Sequence, residues 1–264
     1  MAALLLDMDG VLYEGDRVVS GAVETVAWLG ERSIPHLFLT NTTSRPRAAL
    51  VEKLAGFGIE VDADSILTPP VAAVEWLKRN APGPTALFVP PATAAEFESL
   101  PLLPRESDRG AASVVIGDLG LAWDFETLNH AFQLLMQEPR PVLVALGLTR
   151  YWRAPDGLRL DVAPFVAALE CATGASAVVL GKPAAPFFAS ALARLGCSAD
   201  EVVMIGDDVV GDVEGAQQAG LLGVLVRTGK FRGEDLTREI QPDAVLDSIA
   251  ALPDWWDEKH ETPG

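Results

Sequence analysis

Short apolar runs alternate with helix-like segments along this chain of 264 residues, and this alternation constrains the fold more than any other feature. Residues 2–6, 35–39 and 201–205 are runs of this kind, and each predicts a strand that is buried on both faces of a sheet. Strands that are separated by single helices favour right-handed βαβ units. The sequence therefore predicts an α/β fold whose core is a doubly wound, Rossmann-like parallel sheet.

The alternation is interrupted near residues 81–84, where Ala-Pro-Gly-Pro opens a stretch rich in proline and alanine. Strands are predicted there at 85–89, 113–116 and 141–146, a hairpin at 150–160, and helices at 124–136 and 164–173. The first pattern resumes with a predicted strand over 177–180. We therefore predict a core of residues 1–81 and 176–264, interrupted by a smaller α/β domain inserted at 82–175.

Hydroxyl side chains predict where two of the helices begin. Ser20 is a candidate N-cap for a helix that ends near Arg32. Thr93 and Glu96 have the spacing of a capping box, in which each side chain bonds the main-chain N–H of the other residue. Both positions are therefore expected to lie at helix N-termini.

The chain is strongly acidic, with 37 Asp and Glu against 20 Lys and Arg and a formal charge of −17. A surface of this charge repels nucleic acid and anionic membranes, so neither is an expected partner. An anionic substrate would need local positive charge, from a metal ion, a few lysines or helix N-termini.

Cysteine and histidine are too few and too scattered to form a metal site. Cys171 and Cys197 are the only cysteines and the three histidines have no ligand spacing, which predicts reduced thiols in a cytosolic protein. The N-terminal apolar run has no basic region before it and meets Asp7 at once, so no signal peptide is predicted. Residues 219–226 are too few for a membrane span. We expect a cytoplasmic protein.

Polar residues follow four of the predicted strands, beginning with Asp7 and Asp9 after the first strand. Ligands of open α/β sheets bind outside the carboxyl ends of the strands, which is where these carboxylates lie. Two like charges this close repel each other unless they share a cation or a proton. The alternative is a polar turn, since Asp9-Gly10 is a common turn dipeptide.

The second and third patches can hold an anion. Residues 40–44, Thr-Asn-Thr-Thr-Ser, join a strand to a helix, where main-chain N–H groups favour phosphate, although hydroxyl side chains also cap helices. Lys182 lies between Gly181 and Pro183 at a predicted strand end. A lysine held in this way can neutralise a phosphate, whereas the alternative is an ordinary exposed lysine.

The fourth patch, residues 206–212, follows another strand and contains Asp207, Asp208 and Asp212. Mg²⁺ takes oxygen ligands in octahedral geometry, usually one or two carboxylates with water and phosphate. The side chains of Asp7 and Asp207 and the main chain at Asp9 would supply such ligands from neighbouring strands. The glycine spacing is that of neither a P-loop nor a dinucleotide fingerprint.

The order of the four patches resembles the haloacid dehalogenase superfamily of phosphatases. The motifs are Asp-x-Asp-Gly, Thr-Asn, Gly-Lys-Pro and Gly-Asp-Asp followed by a further Asp. The inserted domain is similar to the type-two cap of the sugar-phosphatase and nitrophenyl-phosphatase branch. The resemblance covers nearly the whole chain, and implies a Mg²⁺-dependent phosphatase that acts on a small phosphorylated substrate.

The resemblance also implies a role for each matching residue. Asp7 would be the nucleophile that forms an aspartyl-phosphate, and Asp9 the general acid and base. Asp7, Asp207 and the main-chain carbonyl of Asp9 would bind Mg²⁺. The remaining roles concern phosphate and orientation: Lys182, Thr40, Asn41 and Thr42 would bind the phosphoryl group, and Asp208 and Asp212 would orient Lys182 and the water around the metal.

Two alternatives use similar residues. A phosphotransferase or phosphomutase of the same superfamily shares this core and differs only in whether water or another acceptor takes the phosphoryl group. A phospho-accepting signalling receiver also combines paired aspartates with Thr and Lys, but it is compact and has no reason to contain an inserted domain. Pyrophosphate, a phosphoramidate such as phospholysine, and a small sugar or acid phosphate all stay open as substrates.

The inserted domain is where substrate specificity is expected. Arg150, Tyr151, Trp152 and Arg153 are candidates to face the leaving group, or else they pack in or solvate the predicted hairpin. We expect the domain to close over the phosphate about hinges near residues 81–84 and 173–174. A homodimer formed through its exposed sheet is a further expectation.

Overall fold

The computed structural model describes residues 1–154 and 157–260, which form two compact units. The first contains the described residues of 1–40, 47–67 and 182–264, and the second contains those of 41–46 and 68–181. Each unit has its own parallel sheet with helices, and the predicted α/β fold class is confirmed. Among the described residues, no helix combines the length and the apolar character that a membrane crossing requires.

The sheet of the first unit has six parallel strands. Its order is β14-β13-β12-β1-β4-β5, so β1 lies between β12 and β4 and every residue from Ala3 to Leu6 is fully buried. Its strands are β1 (Ala3–Asp7), β4 (His36–Leu39), β5 (Ile66–Leu67), β12 (Val202–Gly206), β13 (Leu222–Val226) and β14 (Ala244–Leu246). A small antiparallel hairpin of β2 (Tyr13–Glu14) and β3 (Arg17–Val18) follows β1.

Helices of the first unit complete its hydrophobic core. They are α1 (Ala22–Glu31), α2 (Arg47–Gly56), α7 (Ala185–Leu195), α8 (Gly215–Gln218) and α9 (Leu252–His260), with a π-helical segment at Val209–Glu214. Trp256 in α9 packs in the hydrophobic cluster that includes Leu4 and Leu6 of β1. Ser20 as an N-cap is wrong: α1 is preceded by Gly21, whose φ of 84° suits glycine, and no side chain caps it.

The sheet of the second unit has four parallel strands in the order β11-β8-β7-β6. They are β6 (Thr85–Phe88), β7 (Ser113–Ile116), β8 (Val142–Ala145) and β11 (Val178–Val179). Its α-helices are α3 (Pro69–Asn80), α4 (Pro91–Ala94), α5 (Phe125–Leu135) and α6 (Val162–Thr173). The predicted hairpin is present as antiparallel strands β9 (Tyr151–Ala154) and β10 (Gly157–Leu160).

Three predictions for the second unit are corrected. The strand predicted at 177–180 as a return to the core pairs with β8 instead, because β11 is the edge strand of the second sheet. This unit therefore runs to Gly181 rather than 175, and it starts before residue 82 because α3 packs against the turn at Ala95–Phe97. A capping box at Thr93 is also wrong, since Thr93 is buried and its hydroxyl donates to the carbonyl of Thr43 at 2.6 Å. The hinges near 81–84 and 173–174 stay predictions.

Candidate active site

Two adjacent strands of the first unit bring three carboxylates together. Asp7 is the last residue of β1, and Asp207 comes directly after β12. Asp212 lies in the π-helical segment that follows Asp207. One carboxylate oxygen from each of these residues lies within 4.8 Å of the others, and all three side chains are buried. The predicted meeting of the first and fourth patches is confirmed.

Lys182 places its ammonium group between two of these carboxylates. The Nζ atom lies 2.6 Å from Oδ1 of Asp7 and 2.6 Å from Oδ1 of Asp212. The residue is only 7% exposed, so this lysine is not an ordinary surface residue. Although β11 belongs to the second sheet, Lys182 belongs to the first unit, and the chain delivers it to the cluster just before α7.

Asp212 and Asp208 are held by main-chain groups around the start of the π-helical segment. The main-chain N–H of Asp208 donates to Oδ2 of Asp212 at 3.1 Å. The Asp208 side chain accepts from the N–H groups of Val210 and Gly211, and Lys230 Nζ lies 3.2 Å from its other oxygen. These contacts are compatible with orienting roles for both aspartates, and they also leave Asp212 within the carboxylate cluster.

Asp207 has one oxygen in a hydrogen bond and one without a partner. Its Oδ2 accepts from the main-chain N–H of Lys230 at 2.7 Å. Its Oδ1 is buried, and no described residue donates a hydrogen bond to it. An unsatisfied buried carboxylate oxygen is costly, and a cation would satisfy it. Oxygen donors of this kind suit a hard divalent cation such as Mg²⁺.

The cluster contains more acidic than basic side chains. Burial raises the pKa of Asp207 to about 6 and that of Asp212 to about 6, and it raises the pKa of Asp7 even though Lys182 opposes the shift. The pKa of Lys182 is also raised, because the charges of Asp212 and Asp7 outweigh the burial of its ammonium group. Three carboxylates around one ammonium group leave negative charge that a divalent cation would neutralise.

The sequence matches family models of hydrolases at both ends of the chain. Residues 4–100 match the model described as haloacid dehalogenase-like hydrolase, and residues 179–252 match one described as HAD-hydrolase-like. Human phospholysine phosphohistidine inorganic pyrophosphate phosphatase is 39% identical over 95% of this chain and 92% of its own length. The chain belongs to the haloacid dehalogenase-like hydrolase family.

Further relatives agree with this membership. Human haloacid dehalogenase-like hydrolase domain-containing protein 2 is 40% identical over 93% of this chain and 91% of its own length. The crystal structure of 4-nitrophenylphosphatase from Thermotoga maritima superposes with a TM-score of 0.83, at 27% identity, over 96% of this chain and 97% of that one. The crystal structure of a hypothetical protein from Pyrococcus horikoshii superposes with a TM-score of 0.87, at 28% identity, over 97% of this chain and 100% of that one.

Other residues that the family resemblance selected lie outside the carboxylate cluster. Asp9 is exposed, and its carboxylate is not among the three that meet. Thr40 is buried directly after β4, and its N–H donates to the carbonyl of Leu67 at 3.2 Å. Asn41 and Thr42 belong to the second unit. The roles of these four residues stay predictions.

A loop that was not predicted to belong to the site contacts the cluster. Thr228, Gly229 and Lys230 follow β13, the strand next to β12, and Lys230 supplies the N–H that bonds Asp207. The available signal was a Gly-Lys pair that begins three residues after a buried strand, at the same edge of the sheet as Asp7 and Asp207.

The hairpin of the second unit exposes most of the residues that were predicted to face a leaving group. Tyr151 is 53% exposed and Trp152 is 40% exposed, so neither is packed in a core. The guanidinium carbon of Arg159 lies 6.0 Å from the centre of the Trp152 ring. Arg150 precedes β9, and the side chain of Arg153 lies outside the described part of the chain.

Proposed function

We propose that this protein is a Mg²⁺-dependent phosphatase that hydrolyses a small phosphorylated compound through an aspartyl-phosphate on Asp7. The observation that supports it most directly is the buried cluster of Asp7, Asp207, Asp212 and Lys182, in which Asp207 Oδ1 has no partner among the described residues. Membership of a hydrolase family whose relatives include named phosphatases supports the same proposal.

The names of these relatives define the substrates to be tested. Phospholysine and phosphohistidine contain P–N bonds, pyrophosphate contains a P–O–P linkage, and nitrophenyl phosphate is a phosphate ester. Each presents an anionic phosphoryl group. We propose that the substrate of this chain is a small compound of one of these three types.

Asp7, Asp207 and the main-chain carbonyl of Asp9 would hold the Mg²⁺ ion. Bound there, Mg²⁺ would neutralise charge on the phosphoryl group and on the attacking carboxylate. The Lys182 ammonium holds Oδ1 of Asp7, which leaves Oδ2 as the oxygen that attacks. Asp212 binds the Lys182 ammonium from its other side. The same ammonium group would therefore orient the nucleophile and neutralise charge on the phosphate.

In the first step Asp7 Oδ2 forms a bond to phosphorus while the bond from phosphorus to the leaving group breaks. The leaving group takes a proton from the Asp9 carboxyl, which is exposed and therefore accessible to substrate and water. In the second step water attacks phosphorus, Asp9 accepts its proton, and the bond between phosphorus and Asp7 breaks. Inorganic phosphate is released and Asp7 is regenerated.

A substrate panel with a trapping step tests this proposal. Phosphate release is measured for phosphate esters, phosphoramidates and pyrophosphate, with Mg²⁺ and with excess chelator. Borohydride added during turnover should reduce an acyl-phosphate at Asp7 to homoserine, which mass spectrometry of the peptide detects. Release of phosphate from none of the compounds, or turnover without the trapped product, would contradict the mechanism.

The phosphotransferase alternative is tested in the same assay by adding acceptor alcohols. A phosphatase releases nearly all of the phosphoryl group as inorganic phosphate, even when acceptors are abundant. If most of it is found on an added acceptor, the enzyme is a phosphotransferase that uses the same aspartate.

A further inference from the structure

The loop after β13 bonds directly to Asp207, the aspartate that has one oxygen without a partner. The main-chain N–H of Lys230 donates to Asp207 Oδ2 at 2.7 Å, whereas Oδ1 receives no hydrogen bond from any described residue. The hydrogen bond therefore distinguishes two oxygens that are chemically equivalent in a free carboxylate. It leaves Oδ1 available for a ligand.

Two glycines from separate loops pack against the same Asp207 oxygen. Gly10 has a φ of +89° and Gly229 a φ of +62°. A Cβ atom on Gly10 would lie 1.9 Å from Asp207 Oδ2, and one on Gly229 would lie 2.0 Å from the same atom and 2.5 Å from the Gly10 Cα. A side chain at either position would therefore displace the carboxylate or the loop.

Side chains hold the two loops together. The Thr228 hydroxyl donates to the carbonyl of Gly10, and the N–H of Gly229 donates to Glu14 Oε1 at 2.6 Å. On the other side, Lys230 Nζ lies 3.2 Å from Asp208 Oδ2. The loop is thus fixed to the segment after β1 and to the segment after β12, the two segments that supply the predicted metal ligands.

We propose that residues 228–230 are a positioning element that turns Asp207 Oδ1 toward the metal, with Gly10 as the opposing surface. This inference rests on the proposed function, because it assigns the metal of that function to Oδ1. The loop does not contact the phosphoryl group in this proposal, and it acts only through Asp207. Partners that orient a metal ligand typically change metal affinity by about 10- to 100-fold when they are lost.

The test is direct measurement of metal affinity in a glycine variant and a matched control. Mn²⁺ is used in place of Mg²⁺, and electron paramagnetic resonance measures the concentration of free Mn²⁺. The Kd obtained in this way does not depend on enzyme activity. Gly229→Ala should raise the Mn²⁺ Kd by about tenfold or more, whereas the control should leave it unchanged. The control is Gly196→Ala, where φ is +68° and a Cβ would meet no atom within 4 Å, so it has the same backbone strain without the contact.

A second pair of variants keeps the proposal testable if Gly229→Ala does not fold. Thr228→Val removes the hydroxyl that holds the loop to Gly10, and Thr228→Ser retains it. The valine variant should raise the Mn²⁺ Kd severalfold and the Mg²⁺ concentration for half-maximal activity by a similar factor, while serine restores both.

The outcomes separate this inference from the proposed function. In one outcome the wild type binds Mn²⁺ and releases phosphate, and the Gly229→Ala and Thr228→Val variants have the same Mn²⁺ Kd as the wild type. This outcome would overturn the positioning role but not the proposed function. A wild-type protein that binds no divalent cation would overturn the proposed function as well.

Discussion

At the scale of single residues, Asp7 and Asp207 end neighbouring strands but have different surroundings. Asp7 Oδ1 is paired with Lys182, so the residue is held by a charge that also suits phosphate. Asp207 is held by an uncharged main-chain N–H, and its other oxygen has no partner among the described residues. The surroundings of Asp7 suit the proposed nucleophile, which would also contact the metal, and those of Asp207 suit a residue that acts only as a metal ligand.

Asp7→Asn should abolish turnover and leave the fold intact. The amide lacks the negative charge and the nucleophilicity of the carboxylate, so phosphate release should fall by about a thousandfold or more. The substitution also removes one charge from a crowded acidic cluster, so the melting temperature should be unchanged or higher. The control is Asp16→Asn, an exposed position in the hairpin after β1. An Asp7→Asn variant with near wild-type rates would show that Asp7 is not the nucleophile.

Removal of the metal should stop the reaction. Excess chelator should abolish activity, Mg²⁺ should restore it, and Ca²⁺ should inhibit because its larger and more flexible coordination shell misplaces the ligands. Asp207→Ala should raise the Mg²⁺ concentration for half-maximal activity by about tenfold or more. Titration of activity with Mg²⁺ measures both effects, and full activity in excess chelator would indicate a hydrolase that needs no metal.

At the scale of secondary-structure elements, the sequence predicted what depends on burial and missed what depends on tertiary contacts. Strands β1, β4 and β12 were predictable because continuous apolar runs are typical of buried parallel strands. Strand β14 was missed, since three residues give no recognisable period. Strand β11 was assigned to the wrong sheet because its apolar residues suit either one, and only its pairing with β8 distinguishes them.

Some features of the candidate site could likewise be predicted from the sequence, and others depend on tertiary contacts. The meeting of Asp7 with Asp207 follows from strand order and could be predicted from sequence. The contact of Lys182 with both Asp7 and Asp212 depends on side-chain positions that no local pattern encodes. The role of Lys230 was missed because a main-chain N–H donates the hydrogen bond, and every residue type except proline supplies that group.

The N-terminus of α6 should make stability depend on pH. Asp161 precedes this helix and accepts from the N–H of Val162 at 2.8 Å, but burial, aided by the charge of Asp118, raises its pKa from 3.8 to about 6. A folded-state pKa above the unfolded value means that the folded protein binds the proton more tightly. The stabilisation is therefore complete below about pH 4 and is lost as the pH rises toward 6.

Asp161→Asn isolates this contribution, because the amide oxygen still accepts from Val162 but cannot ionise. The melting temperature of the wild type should fall between pH 4 and pH 7 relative to that of the variant. The difference should correspond to about 1 kcal/mol after allowance for partial solvent exposure. Melting curves of both proteins over this range measure it, and parallel pH profiles would exclude a raised pKa at Asp161.

At the scale of the whole molecule, the proposed chemistry and the proposed substrate recognition fall in different units. The chain has a formal charge of −17, so an anionic substrate meets repulsion from most of the surface. The proposed metal and Lys182 would supply local positive charge in the first unit. The proposed chemistry thus needs residues of the first unit for the nucleophile and the metal, whereas the exposed aromatic hairpin belongs to the second.

The hairpin should set substrate preference without changing the chemistry. Tyr151 and Trp152 are exposed on β9, and aromatic faces of this kind suit a planar or cationic leaving group. Replacing both with alanine should change the ranking of kcat/KM among phosphate esters, phosphoramidates and pyrophosphate by about tenfold, mainly through KM. Phe125→Ala is the control, since Phe125 is 81% exposed elsewhere in the same unit. Mg²⁺ dependence and the need for Asp7 should be the same in all three proteins, and an unchanged ranking would show that specificity lies in other residues.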